Sequence, residues 1–126
     1  MLGDVDAISF SQTTQTEKAK AFYGGVLGLN FLEDSPFALL FRSGRTTVRI
    51  QKVESFTPFP FTSLGWNVPD IEATAKQLLE KGIKCERFNG MKQDDLGIWL
   101  SPGNSKVCWF KDPDGNLLSL SEAPKA

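Results

Sequence analysis

One spacing occurs twice in this chain. Thr16 and Gly28 stand twelve residues apart, and so do Asp70 and Gly82. Each pair brackets a run with apolar residues at helical intervals: Ala19, Phe22, Val26 and Leu27 in the first, Ile71, Ala75, Leu78 and Leu79 in the second. Gly28 and Gly82 are each followed by an apolar residue, Leu29 and Ile83, the pattern of a left-handed helix stop with its hydrophobic contact. Thr14-x-x-Glu17 reads as a capping box for the first helix, and Asp70 as the N-cap of the second.

Strand-like segments flank both helices in the same order. Val5 to Phe10 precedes the first helix; Asn30 to Glu33, Phe37 to Phe41 and Thr46 to Gln51 follow it, with Ser43-Gly44 as a turn. Thr62 to Val68 precedes the second helix; Cys85 to Phe88, Val107 to Phe110 and Leu117 to Ser121 follow it. Asp112-Pro113-Asp114-Gly115-Asn116 is the turn joining the last two. The expected fold is therefore α+β, two tandem βαβββ modules within a single domain over residues 1–126. Module 1 covers about 4–54, a linker rich in Pro and Phe covers 55–61, and module 2 covers about 62–122. Residues 89–105 are the least regular stretch, suited to either a binding loop or a plain surface hairpin.

The 126 residues contain no histidine. Ser-His-Asp and Cys-His catalysis and imidazole metal sites are thereby excluded. Fourteen basic and fifteen acidic side chains give a net charge of -1, which offers no general attraction to nucleic acid or an anionic membrane. No apolar run approaches bilayer length, and the first residues lack the pattern of a secretory signal. Cys85 and Cys108 form no C-x-x-C motif, and they read as reduced thiols of a cytoplasmic protein.

Several of these segments together resemble the vicinal oxygen chelate superfamily, the group of glyoxalases, bleomycin-resistance proteins and extradiol dioxygenases. They are Val5-Asp6-Ala7-Ile8-Ser9-Phe10, Lys18-Ala19-Lys20-Ala21-Phe22-Tyr23, Val26-Leu27-Gly28-Leu29, Asn67-Val68-Pro69-Asp70-Ile71 and Phe110 to Asn116. The resemblance covers nearly the whole chain. It implies mixed sheets that curl around a shared cleft, and a homodimer. It also implies a divalent metal held by His or Glu on the first and last strands of each module. The matching positions here are Ala7, Arg49, Ser63 and Ser119. Alanine has no donor atom, serine hydroxyls bind transition metals poorly, and arginine repels a cation. Asp4, Asp6 and Glu54 could offer oxygens to a hard cation, but near strand ends. The expectation is a scaffold with no metal and no other cofactor.

Strand alternation then predicts what lines the cleft. Ser9 and Ser11 face it on the first strand, with Thr47, Arg49 and Gln51 on the last strand of module 1. Ser63, Gly65 and Asn67 face it in module 2, with Ser119 and Ser121. Ile8, Phe10, Leu64, Trp66, Val68, Leu118 and Leu120 point to the helices. Arg49 either binds a ligand carboxylate or phosphate, pairs internally with Glu33, Glu54 or Glu122, or reaches solvent at an edge. Trp99 and Trp109, with the linker phenylalanines, offer surfaces for a planar ligand or are simply core. The candidate ligand-binding set is Arg49, Ser9, Gln51, Ser63, Asn67, Trp99, Trp109 and Ser119, with no catalytic residue. The reading favoured is a non-enzymatic binder that sequesters a small anionic or aromatic molecule. The alternatives are a lyase, isomerase or dioxygenase, metal-free or with displaced ligands, and a subunit acting through protein contacts.

Overall fold

The computed structural model describes residues 1–125. The chain divides into two compact units, Met1 to Pro58 and the residues from Phe59 onward. The first holds β1 (Ile8–Thr13), α1 (Thr16–Lys20) with a π-helical extension (Ala21–Val26), β2 (Asn30–Asp34), β3 (Ala38–Ser43) and β4 (Thr46–Lys52). The second holds β5 (Leu64–Asn67), α2 (Ile71–Glu80), β6 (Trp99–Leu100), β7 (Lys106–Lys111) and β8 (Leu117–Glu122). Each builds one four-stranded mixed sheet, ordered β1-β4-β3-β2 and β5-β8-β7-β6. The first strand of each module pairs parallel with the last, and the remaining pairs are antiparallel. This is the predicted α+β architecture of two βαβββ repeats. Among the described residues no helix is long and apolar enough to cross a membrane.

In module 1 the core lies between the sheet and the helix. Tyr23, Leu39, Phe41, Val48 and Ile50 are fully buried, and Tyr23 packs edge-on against Phe22 with ring centroids 5.2 Å apart. The helix is not α-helical throughout, as the periodicity predicts. After Lys20 it widens, and Leu27 N donates to Phe22 O at 2.8 Å, a five-residue step. Gly24 and Gly25 hold the α form weakly, and the wider coil lets consecutive Phe22 and Tyr23 both point inward. Gly28 takes the left-handed conformation expected of it, at φ 73°. The N-cap falls one residue after the Thr14 expected from the capping-box pattern. The N-cap is Gln15 and uses no side chain; instead the hydroxyl of Thr13 accepts from Gln15 N at 3.0 Å.

The first strand departs furthest from expectation. It runs from Ile8 to Thr13, and its faces are reversed. Ser11 and Thr13 are buried, while Ile8 and Phe10 are each 55% exposed. The parallel register sets Ser9 beside Val48 and Ser11 beside Ile50, on the helix side. Large rings already fill that side, so small side chains fit there and Phe10 does not.

Module 2 follows the predicted alternation. Leu118 and Leu120 join Cys108, Phe110, Ile71, Ala75 and Leu78 in the core, and Trp66 stacks on Phe110 at 6.5 Å. Asp70 caps α2, accepting from Ala73 N at 3.1 Å. Leu79, expected on the buried face, is 47% exposed. The β7–β8 turn is held by Asp112, which accepts from Asp114 N, Asn116 N and Asn116 Nδ2. Cys85–Phe88 is not a ladder strand. Its backbone donates once to β7, from Glu86 N to Trp109 O, and the side chain of Gln93 bonds Phe88 N, Glu86 O and Gly97 O. The edge position falls to Trp99–Leu100, inside the irregular stretch 89–105.

Candidate functional site

Each sheet has one face away from its helix, and these two open faces carry the candidate residues. On module 1, register places Arg49 of β4 between Phe10 of β1 and Leu40 of β3. Thr47 lies between Ile8 and Arg42, and Gln51 between Gln12 and Ala38. Arg49 is half-buried and forms no ion pair among the described residues, so the internal salt bridge is not its role. Gln51 is exposed on the same face. Ser9 is not there: the reversed first strand turns it toward the helix side with Val48. Phe10, Ile8 and Arg42 take up the face instead. The Ile-Ser-Phe-Ser-Gln-Thr segment alternates in either phase, so the sequence alone carries no signal for choosing Phe10 over Ser9.

On module 2, Ser119 of β8 lies between Gly65 of β5 and Trp109 of β7. Ser121 lies between Asn67 and Val107, and Trp99 sits beside Val107 at the edge. Ser119 is 8% exposed, and a Cβ added at Gly65 would lie 2.5 Å from its hydroxyl oxygen. Only a bare backbone at Gly65 leaves the serine in place. Ser63 immediately precedes β5, and its hydroxyl donates to Leu117 O at 3.3 Å. The module therefore brings Ser119, Asn67, Trp99 and Trp109 to one face, with Ser63 at its start.

The aromatic part of that face is ordered around Trp109. Its indole N–H donates to the hydroxyl of Thr62 at 3.1 Å. Phe88 stands edge-on to it at 5.4 Å, and Trp99 lies tilted at 6.1 Å. Both tryptophans keep part of their surface open. Phe59 and Phe61 stack on each other at 4.9 Å and are 54% and 57% exposed. A fixed indole flanked by hydroxyls and an amide suits a planar ring with polar substituents.

The carboxylates lie elsewhere. Among the described residues, one cluster of three could hold a metal ion: Asp70, Glu72 and Glu122, with oxygens within 4.8 Å of one another. Each is already engaged. Glu122 accepts from Ile71 N at 3.0 Å, Asp70 caps α2, and Glu72 pairs with Lys106 at 2.7 Å. The Lys106 hydrogen bond holds the Glu72 carboxyl below its usual range. Glu122 alternates with Ser121 and so lies on the helix side of β8.

Comparison with known proteins agrees with this geometry. Residues 10–120 match the model of the glyoxalase/bleomycin resistance protein/dioxygenase superfamily. The uncharacterized protein YraH of Bacillus subtilis (strain 168) is 29% identical over 119 residues, spanning 82% of this chain and 87% of that protein. A superfamily member from Sphaerobacter thermophilus DSM 20745 superposes with a TM-score of 0.75 at 22% identity, covering 97% of this chain and 99% of its own. Lactoylglutathione lyase from Agrobacterium tumefaciens gives 0.73 at 17% identity, with 94% and 93% covered. An antibiotic binding protein from Streptomyces sp. CB03234 gives 0.71 at 23% identity, with 98% of each chain covered. At these identities the structural likeness speaks to the fold alone, while the sequence match over residues 10–120 places the chain by family: it belongs to the glyoxalase/bleomycin resistance protein/dioxygenase superfamily.

Proposed function

We propose that this protein binds and sequesters a small aromatic or anionic molecule and performs no chemistry on it. The observation that carries the reading is the Trp109 platform, fixed by Thr62 and flanked by Trp99 and Phe88 beside Ser119. Stacking on such a platform contributes affinity, and the neighbouring hydroxyls and amide orient the ligand. Within module 1, Arg49 supplies an unneutralised cation on the open face and is a second, separate candidate contact, for a carboxylate or phosphate. The antibiotic binding protein from Streptomyces sp. CB03234, which shares the fold, supports a binding role.

The metal of the family's enzymes does not fit this donor set. Phe10 pairs with Arg49 as Gly65 pairs with Ser119. The repeat therefore equates Ser63 with Ile8, one residue beyond the Ala7 expected from sequence. The four positions become Ile8, Arg49, Ser63 and Ser119. A hydrocarbon, a cation and two neutral hydroxyls form no site for a divalent transition metal. A homodimer in the cytoplasm belongs to the same reading, and light scattering of the purified protein tests the dimer.

The test of binding is a tryptophan-fluorescence titration of chelator-treated protein with a panel of aromatic carboxylates and phosphates. The expected result is saturable quenching that Trp109→Leu abolishes, with circular dichroism unchanged. Turnover of a hemithioacetal or catechol that Arg49→Ala abolishes would instead establish the metal-free enzyme.

A further inference from the structure

Module 2 has a second concavity, a cavity of about 180 Å³ beside α2, and none of its lining residues belongs to the open face with Trp109. It lies where the core-facing stripe of α2 is short. Ala75 and Leu79 stand one turn apart on the helix, and the buried Ala75 offers only a methyl group to the space. Leu79, whose place in the stripe predicts burial, is 47% exposed. Gly82 then turns the chain back in the left-handed conformation, Ile83 N donates to Leu78 O at 2.9 Å, and Ile83 joins the apolar wall. Leu96 adds to it from the irregular stretch 89–105.

The wall carrying Leu96 is fixed. The Asp94 carboxylate accepts from Leu96 N and Ile98 N, both at 2.9 Å. Arg87 Nη2 donates to Asp94 O at 2.6 Å and Asp95 O at 3.0 Å. A wall held in this way loses little freedom when a ligand arrives. Three charged side chains line the same cavity, Lys84, Arg87 and Asp95. All three are exposed, and among the described residues none forms an ion pair. Arg87 spends Nη2 on backbone carbonyls, which leaves its other N–H groups for an anion.

We propose that this cavity is a second binding site, for a free α-amino acid with an apolar side chain of about the size of leucine. The side chain enters between Leu79, Ile83 and Leu96, the carboxylate meets Lys84 and Arg87, and the ammonium group meets Asp95. The volume suits such a ligand: an apolar cavity of roughly 150 Å³ accepts benzene, so a four-carbon side chain fits within, with its charged groups at the exposed rim. A simple carboxylic acid would set an anion against Asp95, and a simple amine would set a cation against Lys84 and Arg87. A zwitterion satisfies both signs. Burial of the apolar side chain supplies the affinity, and the exposed charges supply the selectivity. This site is independent of the open-face reading, and either can fail alone.

The experiment titrates the ¹⁵N-labelled full-length protein with L-leucine and follows its amide resonances. Saturable shifts are expected at Ile83, Leu96 and their neighbours. The compounds 4-methylpentanoate, which lacks the ammonium group, and 3-methylbutylamine, which lacks the carboxylate, should each bind at least about threefold more weakly. Asp95→Asn should remove the preference for leucine over 4-methylpentanoate, and Ala75→Leu, which fills the cavity, should abolish the shifts. Should Ala75→Leu misfold, the ligand series on the wild type and the exposed Asp95→Asn substitution still decide. No shifts with leucine up to its solubility, shifts confined to the face of Trp109 and Ser119, or equal binding of either truncated compound would each overturn the assignment.

Discussion

The side chain of Ser11 is buried to 2% exposure on the helix side of β1, and among the described residues its hydroxyl has no hydrogen-bond partner. An unsatisfied buried hydroxyl costs about 1–3 kcal/mol of desolvation. Ser11→Ala removes that cost with little change of shape, so it should stabilise the protein by about 1 kcal/mol, read as a raised denaturant midpoint at unchanged slope. Gly97 is the opposite case. Its left-handed backbone and the closeness of Cys85 leave no room for a methyl group. Gly97→Ala should cost about 1–3 kcal/mol in the same measurement. Neither residue announces itself in the sequence. Serine in an alternating strand reads as solvent-facing, and Gly97 follows an irregular run whose partner, Cys85, is defined only by the tertiary fold.

At the scale of elements, the start of α2 depends on side-chain oxygens. Asp70 caps it, and the buried Glu122 of β8 accepts from Ile71 N. Asp70→Ala should cost about 1 kcal/mol. The Glu72–Lys106 pair nearby makes stability depend on pH at both extremes. Glu72 is lowered from 4.5 by the hydrogen bond from Lys106, so its contribution is complete above pH 4.5 and fades as pH falls through the lower folded value. Lys106 is raised from 10.5 by the hydrogen bond to Glu72; its contribution is complete below pH 10.5 and fades as pH rises through the folded value. Both groups are more than a third exposed, so the effect is small and screened by salt. Glu72→Gln should flatten the acid limb of the melting-temperature profile.

The elements also show what a sequence can and cannot specify. Gly28 and Gly82 stop their helices in the left-handed conformation at φ 73° and 87°, because a Cβ is disfavoured there whatever the surroundings. The Asp112 turn is equally local, closed by its own neighbours. The π-helical turn at Ala21–Val26 is not local: it depends on both Phe22 and Tyr23 finding room beneath the sheet. The face of β1 is decided in the same way. Its pattern fits two phases, and the volume left beside Phe41 and Tyr23 selects the one that exposes Phe10. The candidate site inherits this difference. Module 2, whose Leu64, Trp66, Leu118 and Leu120 allow one phase, shows its face as read, while module 1 exchanges Ser9 for Phe10.

For the whole molecule, the repeated helix spacing and the turn residues make the two βαβββ modules legible before any coordinates, because each repeat has the same stops and the same order of strands. Function is less legible, since the chemistry of a fold resides in the few side chains on its open faces. Here those are indoles, hydroxyls, amides and arginines, the groups on which the proposed binding role rests. The most direct test is a paired titration of chelator-treated protein. One arm follows tryptophan fluorescence against aromatic acids, and the other follows bound nickel, zinc, manganese and iron(II) by elemental analysis with melting temperature. The account predicts saturable, Trp109-dependent binding of an aromatic acid and no stoichiometric metal. One metal per chain with a raised melting temperature, and no aromatic acid bound without it, would contradict it.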